Sequence, residues 1–373
     1  MLSREELREI ATMRGEGAFF VSLYLNVNPM TNVKDNYAIH VKSMIKETAD
    51  KTDRKILKKV SADFEKIESY ILTNKKIFKK GLALLSCQEK SFWKEFHLSV
   101  PFKNEIIVDK IPYIKPLLDI LDNYQRYAIL LVDRESARIF LVHIGEIEEY
   151  TEVHSHDVPG RHKKGGWFSL AERSYERHID YHVGLHLKDV LRQLEPFLSR
   201  EYVGRLIIGG AEEAVTKVRN MLPHVMSDKI IGTFQADMTA NSKEILEKTE
   251  PIVDAYERKK EVEDIDDLLT KAMKNENAVL GIENVLNALQ EGRVMKLVFL
   301  KGFKHSGISC SKCGYLTIQN ASSCPFCKGD MQEAKYIVDL IAQKAVQQGV
   351  LIEVAHENAK LREAGSIGAF LRF

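Results

Sequence analysis

The chain has 373 residues, 45% of them hydrophobic, enough for two or three domains with filled cores. Its 54 Lys and Arg nearly balance 53 Asp and Glu, so net charge names no partner and any nucleic-acid surface has to be local. Met1-Leu-Ser-Arg-Glu-Glu6 is polar from the start, and no apolar run nears the roughly 20 residues that span a bilayer. A soluble cytoplasmic protein with no membrane contact is therefore expected.

In chain order, Ser3-x-x-Glu6 has the form of a capping box and predicts a first helix ending at the Gly15 and Gly17 turn. Residues 19–25 read as a strand. Between about 35 and 80, Ile45, Ile56, Leu57, Val60, Phe64, Ile67 and Ile71 fall at helical spacing among charges, which predicts two long amphipathic helices. The lysine runs at 55–59 and 75–80 read as solvated helix faces. Strands follow near 81–86, 96–100 and 105–111, with Cys87 expected to be a buried strand residue.

Tyr127-Ala-Ile-Leu-Leu-Val132 is apolar throughout, the pattern of a strand buried on both faces. Arg134-Glu-Ser-Ala137 makes a turn, and 138–143 returns as the hairpin partner. Asp133, Glu135 and Ser136 at the strand end have no His or Lys partner at catalytic spacing and read as that turn. A further strand near 147–153 leads into Asp157-Val-Pro-Gly-Arg-His-Lys-Lys-Gly-Gly-Trp167, a basic loop, and a helix expected over 168–198. Residues 206–210 form another buried strand. Its closing Gly209-Gly210 lacks the rest of a phosphate-loop pattern, so no nucleotide site is expected there. A helix at 213–222, a strand at 229–234 and a charged connecting helix or pair over 241–274 complete the middle of the chain. Then come an amphipathic helix at 279–289, a buried strand at 294–300, a helix at 335–348 and strands at 350–354 and 369–373.

The expected fold class is α/β with an α+β N-terminal domain. It comprises three domains of mixed sheets with flanking helices: 1–124, 125–260 and 261–373. A small zinc-knuckle insertion at about 305–332 belongs to the last domain. Four of the five cysteines make that insertion, as Cys310-x2-Cys313 and Cys324-x2-Cys327. Two Cys-x2-Cys knuckles with Gly314 and Pro325 in their turns are zinc spacing, and four thiolates fill a tetrahedral shell without an open position. The zinc is thus expected to be structural. Two disulfides are the alternative, which a cytosolic setting disfavours.

The loop carries a second chemistry. Gly165 and Gly166 let the backbone approach a ligand without side-chain obstruction. Arg161, His162, Lys163 and Lys164 beside them, with Arg173 and Arg177 on the following helix, favour a phosphate-bearing partner and are the candidate RNA-binding residues. His178, His182 and His186 share one helical face. A metal site there lacks completing carboxylates, and an RNA-facing or solvated stripe is the simpler reading.

These segments, in order, resemble the archaeal and eukaryotic class-1 peptide chain release factors and their relative Pelota. Leu7-Arg-Glu-Ile10, Arg14-Gly-Glu-Gly17 and Val21-Ser-Leu-Tyr-Leu25 resemble the opening of the family's N domain. Asp157-Val-Pro159 and Gly165-Gly166 match its middle-domain loop, where the family carries Gly-Gly-Gln. Gly281–Gly292, followed by 294–300, resembles the start of its C domain, and Gly365-Ser-Ile-Gly368 with Leu371-Arg-Phe373 resembles its end. Archaeal members also carry a cysteine-bearing insertion in the C domain.

The resemblance implies binding at the ribosomal A site and hydrolysis of peptidyl-tRNA, with Gly165, Gly166 and Trp167 as candidate catalytic residues. Its implied partners are ribosomal RNA, peptidyl-tRNA and a translational GTPase met through the C-terminal domain; no oligomer is expected. Two departures matter. Trp167 stands where the family has glutamine, which keeps the backbone N–H and loses the side-chain acceptor. Thr31-Asn-Val-Lys34 only echoes the family's Asn-Ile-Lys-Ser, and its Tyr-x-Cys-x3-Phe element is missing near 107–113, so stop-codon decoding is not expected. The pattern is most similar to the divergent bacterial and archaeal offshoots associated with stalled ribosomes, and a non-catalytic, Pelota-like binding module is the alternative.

Overall fold

The computed structural model describes residues 2–32, 37–154 and 169–373, without the side chains of 153–154, 169–177 and 179. Two compact units emerge, one made of residues 1–123 with 260–373 and the other of 124–259.

The first unit begins with α1 (Arg4–Thr12), capped by Ser3, whose Oγ accepts the Glu6 N–H at 3.1 Å. β1 (Phe20–Asn26) follows, then α2 (Tyr37–Lys51), α3 (Arg54–Thr73), β2 (Gly81–Cys87), β3 (Phe92–Leu98), β4 (Glu105–Asp109) and α4 (Lys115–Asn123). The sheet runs β3-β2-β1-β4, entirely antiparallel. Val60, Phe64, Ile67 and Ile71 recur along one side of α3, and that stripe packs on Val21, Leu23, Leu25, Leu82 and Leu84. Asp63 is the exception on this buried side of α3. Its Oδ1 accepts Ser86 Oγ–H at 2.5 Å and Gln88 N–H at 2.9 Å, so a carboxylate closes the end of β2.

The second unit holds β5 (Tyr127–Val132), β6 (Ser136–His143), β7 (Glu146–His154), α5 (Ser169–Arg200), β8 (Leu206–Gly210), α6 (Glu212–Met221), α7 (His224–Ser227) and β9 (Ile230–Phe234), with α8 (Ser242–Met273) beginning in it. Its sheet runs β7-β6-β5-β8-β9, with β5, β8 and β9 parallel. The unbroken apolar run of β5 is explained by two faces. Ala128, Leu130 and Val132 meet α5 and α6, whereas Tyr127, Ile129 and Leu131 meet Ile245 and Val253 of α8.

The charged stretch expected as one helix or a pair is thus a single helix, and its later residues Ile265, Leu268 and Leu269 belong to the core of the first unit. That unit resumes with β10 (Ala278–Leu280), α9 (Ile282–Gln290), β11 (Val294–Leu300), β12 (Gly307–Cys310), β13 (Leu316–Thr317), β14 (Met331–Ala334), α10 (Ile337–Gln347), β15 (Leu351–Ala355), α11 (Ala359–Glu363) and β16 (Ile367–Leu371). The helix expected over 279–289 is corrected: its first residues are the strand β10, paired with β16. Gly281 at φ +80 breaks the chain direction before α9. α11 was not anticipated.

The sheet runs β10-β16-β11-β15, with β11 and β15 parallel and joined through α10. Between β11 and α10 sits a three-stranded ribbon, β13-β12-β14, whose two ends meet where Ile337 N–H donates to His305 O at 3.0 Å. The N- and C-terminal parts of this unit are bonded together. Gln343 Nε2 donates to Ala11 O at 3.1 Å, Lys115 pairs with Asp339 at 2.9 Å, and Val354 N–H donates to Asp122 Oδ2 at 3.1 Å.

Candidate functional site

The ribbon converges the four cysteines. Their sulfurs all lie within 4.8 Å of one another, with Cys310 Sγ 3.4 Å from Cys327 Sγ and Cys313 Sγ 3.5 Å from Cys324 Sγ. These separations are far beyond a disulfide bond, and they suit a tetrahedral shell, in which bonds of about 2.3 Å put sulfurs about 3.8 Å apart. Each knuckle is a turn closed by the backbone: Gly314 N–H donates to Cys310 O at 3.0 Å and Lys328 N–H to Cys324 O at 3.1 Å. Gly314 and Lys328 sit at φ +71 and +58, which turns each chain back after its second cysteine.

The electrostatics fit a cation. Burial raises the Cys310 thiol, but N–H groups of Cys313 and Lys312 aimed at its sulfur outweigh that and hold it at about 6. Cys324 is likewise lowered, against its burial, by the Cys327 and Phe326 amides. Cys313, by contrast, is pushed up to about 12 by burial and by the neighbouring sulfurs. Four thiolates therefore crowd one another unless a positive ion sits between them. The four cysteines can hold a metal ion, and among the described residues they are the group of three or more ligating side chains that converges.

The glycine loop is framed by β7 and α5. Residues 155–168, with Arg161, His162, Lys163, Lys164, Gly165, Gly166 and Trp167, lie outside the described residues, and so do the side chains of Arg173 and Arg177 on α5. On the same helix His178 is exposed, His182 half-buried and His186 buried, so the three imidazoles do not share one environment. The rings of His178 and His182 meet edge-on at 4.5 Å.

Asp133 Oδ1 accepts Glu135 N–H, Ser136 N–H and Ser136 Oγ–H at 2.9, 2.7 and 3.0 Å, a turn built by one carboxylate. Gly210 has φ +134, and a Cβ there would meet Val132 O at 1.9 Å, so this glycine serves strand packing. Thr31 and Asn32 fold back on Asn26 and Asn28, while Val33 and Lys34 lie outside the described residues.

A family model described as bacterial archaeo-eukaryotic release factor family 10 matches residues 112–253, which spans the glycine loop and its frame. Peptide chain release factor subunit 1 of Methanocaldococcus jannaschii is 26% identical over 416 aligned residues, covering 100% of this chain and 97% of that protein. The chain is thus similar to archaeal release factors along its whole length.

The corresponding protein of Archaeoglobus fulgidus is 23% identical over 99% of this chain and 96% of its own. A solved structure described as ribosome-bound archaeal Pelota and ABCE1 aligns with 100% of this chain and 94% of its own, at 13% identity and TM-score 0.44. Sequence reasoning missed two clusters. One is Lys296 between Asp264 and Glu353, drawn from three separate segments. The other is the aromatic tip of the ribbon, where Phe326 stands between Pro325 and Cys327 in plain view of the sequence. Among the described residues no helix is long and apolar enough to cross a membrane.

Proposed function

We propose that this protein binds the ribosomal A site and promotes hydrolysis of peptidyl-tRNA, or rescue of stalled ribosomes, through the 157–167 loop and without decoding a stop codon. The observation that carries this reading is the collinear match of the whole chain to an archaeal release factor subunit. Three domains would do the work, 1–124, 125–260 and 261–373. In this reading Gly165 and Gly166 bring the backbone against the tRNA ester, and the Trp167 N–H stabilises developing oxyanion charge. Arg161, His162, Lys163, Lys164, Arg173 and Arg177 hold the loop on RNA phosphates. The C-terminal domain meets a translational GTPase. Cys310, Cys313, Cys324 and Cys327 hold zinc, which cross-links the ribbon and supplies no reactive position.

Trp167 favours a second reading. Its side chain has no acceptor to orient water, so the protein would act as a binding module in ribosome splitting or rescue, without hydrolysis. A release assay on stalled ribosomes decides between them. Under the first reading the wild type frees nascent peptide and Gly166→Ala abolishes release; Trp167→Gln raises it if the missing acceptor limits the rate. Peptide that stays attached while the protein co-sediments with ribosomes sinks the hydrolase and leaves the binding module. Cys310→Ser should lose stoichiometric zinc, and retained metal with unchanged melting would remove the structural zinc.

A further inference from the structure

We infer that the tip of the cysteine ribbon is a contact site for single-stranded RNA, with Phe326 as a stacking platform and Lys312 and Lys328 as phosphate contacts. Phe326 is 74% exposed, a large apolar ring left in water at the turn of the second knuckle. Its backbone N–H serves the Cys324 sulfur, but its ring serves neither the cysteine shell nor the sheet. The ring meets Tyr315 of the first knuckle at 4.9 Å between centroids, tilted by 57°, so the two knuckles jointly present an aromatic edge. A turn between Pro325 and Cys327 needs no aromatic residue, and an exposed ring there carries an interaction or none.

The charges beside the ring indicate the partner's chemistry. Lys312 lies between the two cysteines of the first knuckle and Lys328 directly follows the second cysteine of the other; both are exposed, and neither has an ion-pair partner among the described residues. Asp330 is the nearby acid on the same turn. An aromatic ring flanked by unpaired ammonium groups is the arrangement that takes a base on the ring and its backbone phosphates on the lysines. Duplex RNA offers no unstacked base to such a tip.

The inference rests on the proposed ribosomal reading only for which RNA is met; binding itself is read on free RNA, so either can fail alone. The zinc-loaded full chain is titrated into a short labelled single strand of mixed sequence and into the matching duplex, and anisotropy is followed. Phe326→Ala should weaken the single-strand complex about tenfold, with duplex binding unchanged and zinc content intact. Phe326→Tyr should restore it. Lys312→Ala and Lys328→Ala should each lower the salt slope of single-strand binding by about 0.7.

Equal affinity of wild type and Phe326→Ala overturns the site, as does a parallel loss on duplex. Repeating the titration with Arg161, Lys163 and Lys164 changed to alanine removes the loop's own contribution, and a Phe326 effect that vanishes in that background also overturns it. Cross-linking from residue 326 on ribosomes to a protein and not to RNA would replace the RNA partner with a protein one.

Discussion

At the level of single residues, two carboxyls, Asp63 buried and Glu353 half-buried, are both raised by burial. Asp63 is held by Ser86 Oγ–H and Gln88 N–H, although burial, the largest influence on it, raises its carboxyl above the ordinary range. Asp63→Ala should cost about 1–3 kcal/mol, because two donors lose their acceptor; urea denaturation measures it. Glu353 is pushed up to about 7 by burial first, with Asp264 and Asp122 adding to the rise and Lys296 opposing it. Its folded value lies above the ordinary 4.5, so the folded state keeps a proton that the unfolded chain releases. The contribution is full below about 4.5 and is lost as pH rises through about 7. Glu353→Gln should flatten the fall in melting temperature across that window, and an unchanged slope would count against it.

The two sites were unequally legible. Cysteine spacing could be read directly, because a tetrahedral shell constrains residues three positions apart on a tight turn. Glu353, Lys296 and Asp264 could not, since they meet only when β15, β11 and α8 are packed. The chemistry expected of Gly165, Gly166 and Trp167 is carried by the sequence and its resemblance to release factors, not by any geometry of the loop.

At the level of elements, glycine explains where periodicity misleads. The apolar pattern from Val279 to Leu289 is continuous and reads as one helix, yet Gly281 divides it into strand and helix because φ +80 is open to glycine and strained for other residues. The pattern records burial on both sides of the break and not the backbone's direction. A long element such as α5, expected over 168–198 and observed over Ser169–Arg200, was legible almost to its ends. β3 begins at Phe92, before the expected 96, because its first residues are mostly half-buried and show no alternation.

The two glycines separate strain from contact. Gly281→Ala meets nothing within 4 Å and should cost about 1–3 kcal/mol through backbone strain alone, since φ +80 with ψ 152 is essentially a glycine conformation. Gly210→Ala adds a collision with Val132 O and should cost about 2–5 kcal/mol. Denaturation midpoints of the two variants, compared in one buffer, should fall in that order.

At the level of the whole molecule, the ends of the chain fold together and the middle stands as its own unit. Leu7, Ile10 and Ala11 of α1 are buried in a unit whose α10 comes from the other end of the sequence, a pairing that no local pattern announces. The composition that suggested domains was legible; their mutual packing was not. A fragment of residues 1–123 should therefore expose α1 and α4, bind a hydrophobic dye and unfold at lower denaturant than the intact protein. A fragment of residues 124–259 should keep a cooperative transition, because both faces of β5 are covered from within it. A non-cooperative profile for that fragment in circular dichroism would contradict this division.

The backbone bond from Ile337 to His305 has a consequence of another kind. A segment whose entrance and exit already touch can be cut out and its ends tied with a short linker, since the sheet around β11 and β15 never has to close a gap. The cysteine ribbon is in this sense an appendage, replaceable without redesign of its host. A chain shortened in this way would lose the cysteines, Tyr315 and Phe326 together and keep its β11-α10-β15 crossover.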